Sequence, residues 1–216
     1  MGIWRTTLSI LVAAPLIASG ASPGEANIFS NRPGSLSTSV RVADRGPALF
    51  TVTINGQQIA HRYFSSLDDL GGAPWEGPFD RSFDIRVVWI EIYSGRAFEA
   101  AAEVPHQSLS RYDPEGDHAD LAIRLGEGGA MAVETSHPEL LRLLGSGQQD
   151  AVTPEMDAPQ RLVATCGQEI ARTDPRYAEL SSWIDAEAKA LADRWTGSGA
   201  TARPDPLAGL NCGEAR

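Results

Sequence analysis

From Ser37 onward apolar side chains recur at alternate positions, the period of a half-buried β-strand. Val40 and Val42 alternate with Ser39 and Arg41. Leu49, Phe50, Val52 and Ile54 then run into Asn55-Gly56, and Ile59 to Phe64 follow. Asn-Gly between two such runs predicts a hairpin, because both central residues of its two-residue turn take positive φ, which Asn and Gly tolerate. Residues 65–80, with Gly71, Gly72, Pro74, Gly77 and Pro78, read as one long loop. Phe83 to Val104 is the strongest segment. Ile85, Val87, Trp89 and Glu91 mark one face, and Arg86, Val88, Ile90 and Ile92 the other. A strand largely apolar on both faces is expected in the middle of a sheet, covered on both sides. Ser94-Gly95 turns the chain, and Arg96 to Val104 returns until Pro105, which has no N–H to give a ladder. Ala97, Ala100 and Ala102 leave room beside this returning strand for a bulky neighbour. Beyond a loop from His106 to His118, the alternation resumes at Leu121, Ile123 and Leu125 and again at Met131 to Glu134. Roughly seven short strands with frequent turns predict an antiparallel β-sandwich-like core over residues 37–135.

After residue 135 the period lengthens. Ser136 and Glu139 form a capping-box pattern before Leu140 to Leu144, and Gly145 stops that helix. Leu162, Val163, Cys166 and Ile170 predict a second short helix over 160–171. Asp174 and Pro175 suit the Ncap and N1 positions of a last helix, in which Tyr177, Leu180, Ile184, Ala188, Leu191 and Trp195 recur every three or four residues. The fold class is therefore α+β, with a helical C-terminal part over 136–216.

The first residues carry a different signal. Arg5, an apolar run from Leu8 to Ala18 and the small residues Ser19 to Ser22 have the layout of a secretory signal peptide over 1–21. The run is shorter than the roughly 20 apolar residues of a spanning helix, and no cysteine follows it for lipid attachment. Residues 22–36 are an irregular lead-in. The expected product is periplasmic or secreted, with no stable membrane insertion. With 18 basic against 28 acidic residues and a net charge of −10, the chain is unsuited to nucleic acid, whose binding rests on neutralising phosphates.

Export changes the meaning of the only two cysteines, Cys166 and Cys212. In an oxidising compartment an even count reads as one disulfide, here closing the C-terminal part. No catalytic motif, metal-ligand spacing or cofactor fingerprint is present. His61, His106, His118 and His137 are scattered over strand ends and loops, as surface histidines are. The acidic stretch Asp113 to Asp120 reads as a solvated turn in preference to a calcium loop, since calcium takes 6–8 oxygens. Two aromatic positions compete between roles. Trp75, beside Pro74, Pro78 and Phe79, is either a lid over the end of the sandwich or an exposed anchor for a partner. Trp183, off the main stripe of the last helix, is an anchor candidate or the edge of a wide buried face. Glu91 and Glu99 lie near Arg86 and Arg96 on paired strands, and cross-strand ion pairing accounts for them more simply than acid–base chemistry.

The stretch Val87-Val88-Trp89-Ile90-Glu91-Ile92-Tyr93-Ser94-Gly95-Arg96-Ala97-Phe98 resembles the central hairpin of small bacterial periplasmic proteins and lipoproteins that act as immunity-like partners of secreted toxins. The resemblance implies a β-rich exported protein that binds another protein, in toxin neutralisation or envelope assembly. A periplasmic hydrolase with a loop-built site and a carbohydrate-binding sandwich using Trp75 are the competing expectations.

Overall fold

Two five-stranded sheets face each other in the computed structural model, which describes residues 35–44, 47–64, 73–78, 81–111, 118–156, 158–197, 207, 209, 210 and 212. The strands are β1 (Ser35–Asp44), β2 (Ala48–Ile54), β3 (Gln57–Phe64), β4 (Ala73–Pro78), β5 (Ser82–Glu91), β6 (Ala97–Pro105), β7 (His118–Leu125), β8 (Ala130–Thr135), β9 (Gln160–Cys166) and β10 (Gln168–Glu169). The helices are α1 (Pro138–Gly145), α2 (Pro175–Ser182) and α3 (Ala186–Gly197). One sheet runs β4-β1-β7-β8-β9 and the other β10-β6-β5-β2-β3. Every pairing is antiparallel except β1 with β7. The sandwich expected from the alternation is present, and it is open.

Asn55 (φ 48°) and Gly56 (φ 77°) make the β2–β3 turn in the left-handed conformation that their sequence demanded. β5 lies in the middle of its sheet between β2 and β6, as its two apolar faces require. Its inner face sends Phe83, Ile85, Val87 and Trp89 into the main core, where they meet Leu121, Ile123, Leu125, Met131 and Val133 of the opposite sheet. The outer face places Ile90 and Ile92 in a second cluster with Leu49, Ala97, Ile170, Leu180, Trp183, Ala188 and Ala192. The small side chain of Ala97 thus accepts the helical layer, while Ala100 and Ala102 face the inter-sheet core.

Four expectations change. Residues 73–78, expected within a loop, form β4 on the edge of β1, with Trp75 opposite Thr38. Residues 160–171, expected as a helix, are strands: β9 pairs along β8 and β10 pairs with β6. The spacing of Leu162, Val163, Cys166 and Ile170 fits a helix, but β8 offers β9 a free ladder edge, and the pairing decides. The β structure therefore continues past residue 135. The last helix is two, because the chain breaks at Trp183–Asp185 and the Asp185 carboxylate accepts the Ala188 N–H at 2.9 Å to start α3. The cap of α1 is His137, whose Nδ1 accepts the Glu139 N–H at 3.2 Å, and Ser136 instead donates its hydroxyl (2.6 Å) and its N–H (3.1 Å) to buried Asp120. Asp174 does cap α2 as expected, accepting the Arg176 N–H at 2.9 Å.

Between β9 and β10 the chain leaves one sheet and enters the other at Gly167, a corner of the kind that joins packed sheets. A Cβ at Gly167 would stand 2.8 Å from Cη2 of Trp89, so only glycine fits under the indole. Gly167 donates its N–H to the carbonyl of Gly129 at 2.7 Å. Gly129 itself holds φ +93° and would bring a Cβ to 2.7 Å from the Phe98 ring.

The disulfide joins Cys166, at the end of β9, to Cys212, with Cα atoms 5.3 Å apart. Cys212 thereby lies at the outer face of β8, where Leu207 packs on Ala130 and Ala132 beside Leu210 and Cys212. Chain-entropy reasoning for the 46-residue separation gives about 4 kcal/mol. Cys212→Ser should therefore lower the chemical-denaturation stability by about that amount, and the same loss should follow reduction of the parent protein.

Candidate binding cleft

Neither tryptophan proposed as an exposed anchor is exposed. Trp75 retains 4% of its surface and packs on Phe83 (ring centroids 4.8 Å) and His106 (5.4 Å), which is the lid arrangement. Trp183 retains 7%, lies in the helical cluster and meets His61 edge-on at 5.3 Å. It stands at the break between α2 and α3, at the C-cap of α2, and that break turns it into the cluster. Phe79 and the acidic residues 113–117 fall outside the described residues. His106, expected at the surface, is fully buried among aromatic rings. Among the described residues no group of three or more His, Cys, Asp and Glu side chains is placed to hold a metal, and no helix is long and apolar enough to cross a membrane.

The arrangement that does converge was only half visible in the sequence. A cleft of about 260 Å³ opens between the β5–β6 turn and the segment leading from β10 into α2, lined by Gly95, Arg96, Glu169, Ile170, Ala171, Arg172 and Tyr177. The β10–β6 pairing sets its floor, placing Glu169 opposite Phe98 and tying the Ile170 N–H to the Ala97 carbonyl at 2.8 Å. Arg96 grips Glu169 with two parallel hydrogen bonds, Nε to Oε1 at 3.2 Å and Nη2 to Oε2 at 2.9 Å, and lies over the Phe98 ring at 4.8 Å. Tyr177 donates its hydroxyl to the Gly95 carbonyl at 2.7 Å, fixing α2 to the turn.

A network of ion pairs surrounds the cleft. Glu99 accepts from Arg86, its diagonal neighbour across the β5–β6 ladder, and from Arg176 at 2.7 Å. Arg176 also pairs with Asp174 at 2.9 Å. Burial pushes the Glu99 carboxyl up, but the Arg176 and Arg86 hydrogen bonds outweigh it and hold it below the ordinary glutamate value. The cross-strand pairing expected of this pair of strands is therefore real for Glu99 and Arg86. Arg96, however, turns to Glu169 and not to Glu91. Arg172 is exposed, with no ion-pair partner among the described residues. The turn that supplies Gly95 and Arg96 also carries Tyr93, 58% exposed, whose hydroxyl donates to Asp193 at 3.0 Å.

Behind the turn, Glu91 follows Trp89 on the inner face of β5. Its Oε2 accepts the Ser94 hydroxyl, and its Oε1 is buried without a hydrogen-bond partner. Burial raises its pKa above the ordinary glutamate value, against the lowering effects of Ser94, Arg96 and the Gly128 N–H.

No protein-family model matches the chain, and no curated protein or solved structure matches it either.

Two expected outcomes follow. Trp75→Ala should cost roughly 3–5 kcal/mol in chemical denaturation, the range for truncating a buried tryptophan. Glu91 is easier to bury protonated, so its contribution to stability is present at acid pH and is lost as pH rises through its raised pKa. Glu91→Gln should therefore matter little near pH 4 and stabilise by on the order of 1 kcal/mol near pH 7, read as a growing difference in melting temperature.

Proposed function

We propose that this chain is an exported protein-binding protein whose contact surface is the end of the sandwich that carries Tyr93 and the Arg172 cleft. The observation that carries the reading is the chemistry of that end. Tyrosine and arginine are the residue types that concentrate energy at protein interfaces, and here Tyr93, Arg96, Arg172 and Tyr177 meet on one turn and the segment facing it. Three of the four are held in place, Arg96 by the Glu169 clamp, Tyr177 by its bond to Gly95 and Tyr93 by its bond to Asp193, which lowers the ordering cost of association. The disulfide and the layout of residues 1–21 support export to an oxidising compartment. The likeness of residues 87–98 to immunity-like proteins directs the partner towards a secreted toxin or an envelope-assembly protein. A sugar-binding reading loses its platform, because Trp75 is covered.

The test is site-specific crosslinking in exporting cells. With the photo-crosslinking amino acid p-benzoyl-phenylalanine in place of Tyr93, irradiation should give a discrete protein adduct. The same label in place of exposed Glu103, at the far end of β6, should not. No adduct from position 93, or identical adducts from both, overturns the proposal.

A further inference from the structure

We infer that the Arg172 cleft is a seat for a carboxylate, namely a glutamate or aspartate side chain presented by an acidic segment of the protein partner. The inference rests on the protein-binding reading above and names the chemistry of the contact. Charge is the first ground. Around the cleft Glu169 is held by Arg96, Glu99 by Arg86 and Arg176, and Asp174 by Arg176, while Arg172 on the lining has no ion-pair partner among the described residues. The net charge of −10 repels an acid at long range, so the attraction is local, from the Arg172 guanidinium at short range.

Shape is the second ground. The Arg96 fork is already occupied by Glu169, both of them lining residues, so an incoming carboxylate is left with the Arg172 guanidinium, whose planar fork suits bidentate pairing. A volume of about 260 Å³ takes a side chain or two, and the Ile170 and Tyr177 walls suit the methylenes of glutamate. A monoanion matches the single spare charge of Arg172. A phosphate dianion would lie beside the Glu169 carboxylate with charge to spare, so the carboxylate is favoured.

The test is an NMR titration of the intact, disulfide-bonded protein with acetyl-Glu-Glu-Glu-amide, and with the Gln and phosphoserine counterparts of the same length. The glutamate peptide should shift the Gly95, Arg96 and Arg172 amide signals saturably, and the glutamine peptide should leave them in place. Arg172→Gln, at an exposed position outside any helix or strand, should keep the parent spectrum elsewhere and weaken the glutamate peptide about tenfold, the loss of one charge-assisted hydrogen bond. Glu169→Gln, which frees Arg96, should tighten it. Equal shifts with the glutamine peptide, tighter binding of the phosphoserine peptide, unchanged affinity in Arg172→Gln, or no shifts at millimolar peptide each overturn the carboxylate assignment. A Tyr93 crosslink that persists alongside any of these would leave the protein-binding reading standing and remove only the acid recognition.

Discussion

Much of this structure depends on the contact between Trp89 and the glycine at the corner between the sheets. The indole occupies the space where any side chain at residue 167 would stand, and the Phe98 ring does the same at Gly129. Because both positions are glycine, the backbone comes close to the aromatic layer, and the chain steps from β9 in one sheet to β10 in the other with the Gly167–Gly129 hydrogen bond across the corner. Three features follow from that step. Cys166 ends at the corner, where it holds the C-terminal segment against β8. Glu169 lands beside Arg96. Ile170 turns down into the helical cluster, which aligns α2 and α3 over the outer face of β5.

The cleft is thus a by-product of how the sandwich closes on one edge, and its parts are held by unrelated means. Arg96 is fixed by a bidentate ion pair, Tyr177 by one hydrogen bond to a turn carbonyl, and Arg176 by two carboxylates, while Arg172 has no ion-pair partner among the described residues. Glu91 is the contrasting case. It plugs the end of the inter-sheet space with a carboxyl that its surroundings only half satisfy, so its protonation affects stability at the same end of the molecule as the proposed contact.

What the residues revealed in advance was whatever depends on neighbours in the chain. Alternation identified β1, β2, β3 and β5 to β8 and the central position of β5, Asn55-Gly56 marked its hairpin through positive φ, Asp174-Pro175 marked a helix start, and the even cysteine count paired Cys166 and Cys212. Glu99 with Arg86 was legible as a cross-strand pair because its two positions lie on adjacent strands of one hairpin.

What only the tertiary structure decided concerns segments whose local preference was weak or whose partner lies far along the chain. Residues 160–171 satisfy a helical period and a strand period about equally, and an open edge on β8 settled the matter by supplying a ladder. Trp75 and Trp183 carry no local mark of burial or exposure; Phe83 of the opposite sheet and His106 cover one, and the break between α2 and α3 turns the other inward. Arg172 and Tyr177 are close to each other in sequence, but their meeting with Arg96 required β10 to pair with β6 across some 70 residues, a separation far beyond the window that local periodicity reports. Periodicity reports which face of an element is buried; only the packed sheets determine which elements share that face.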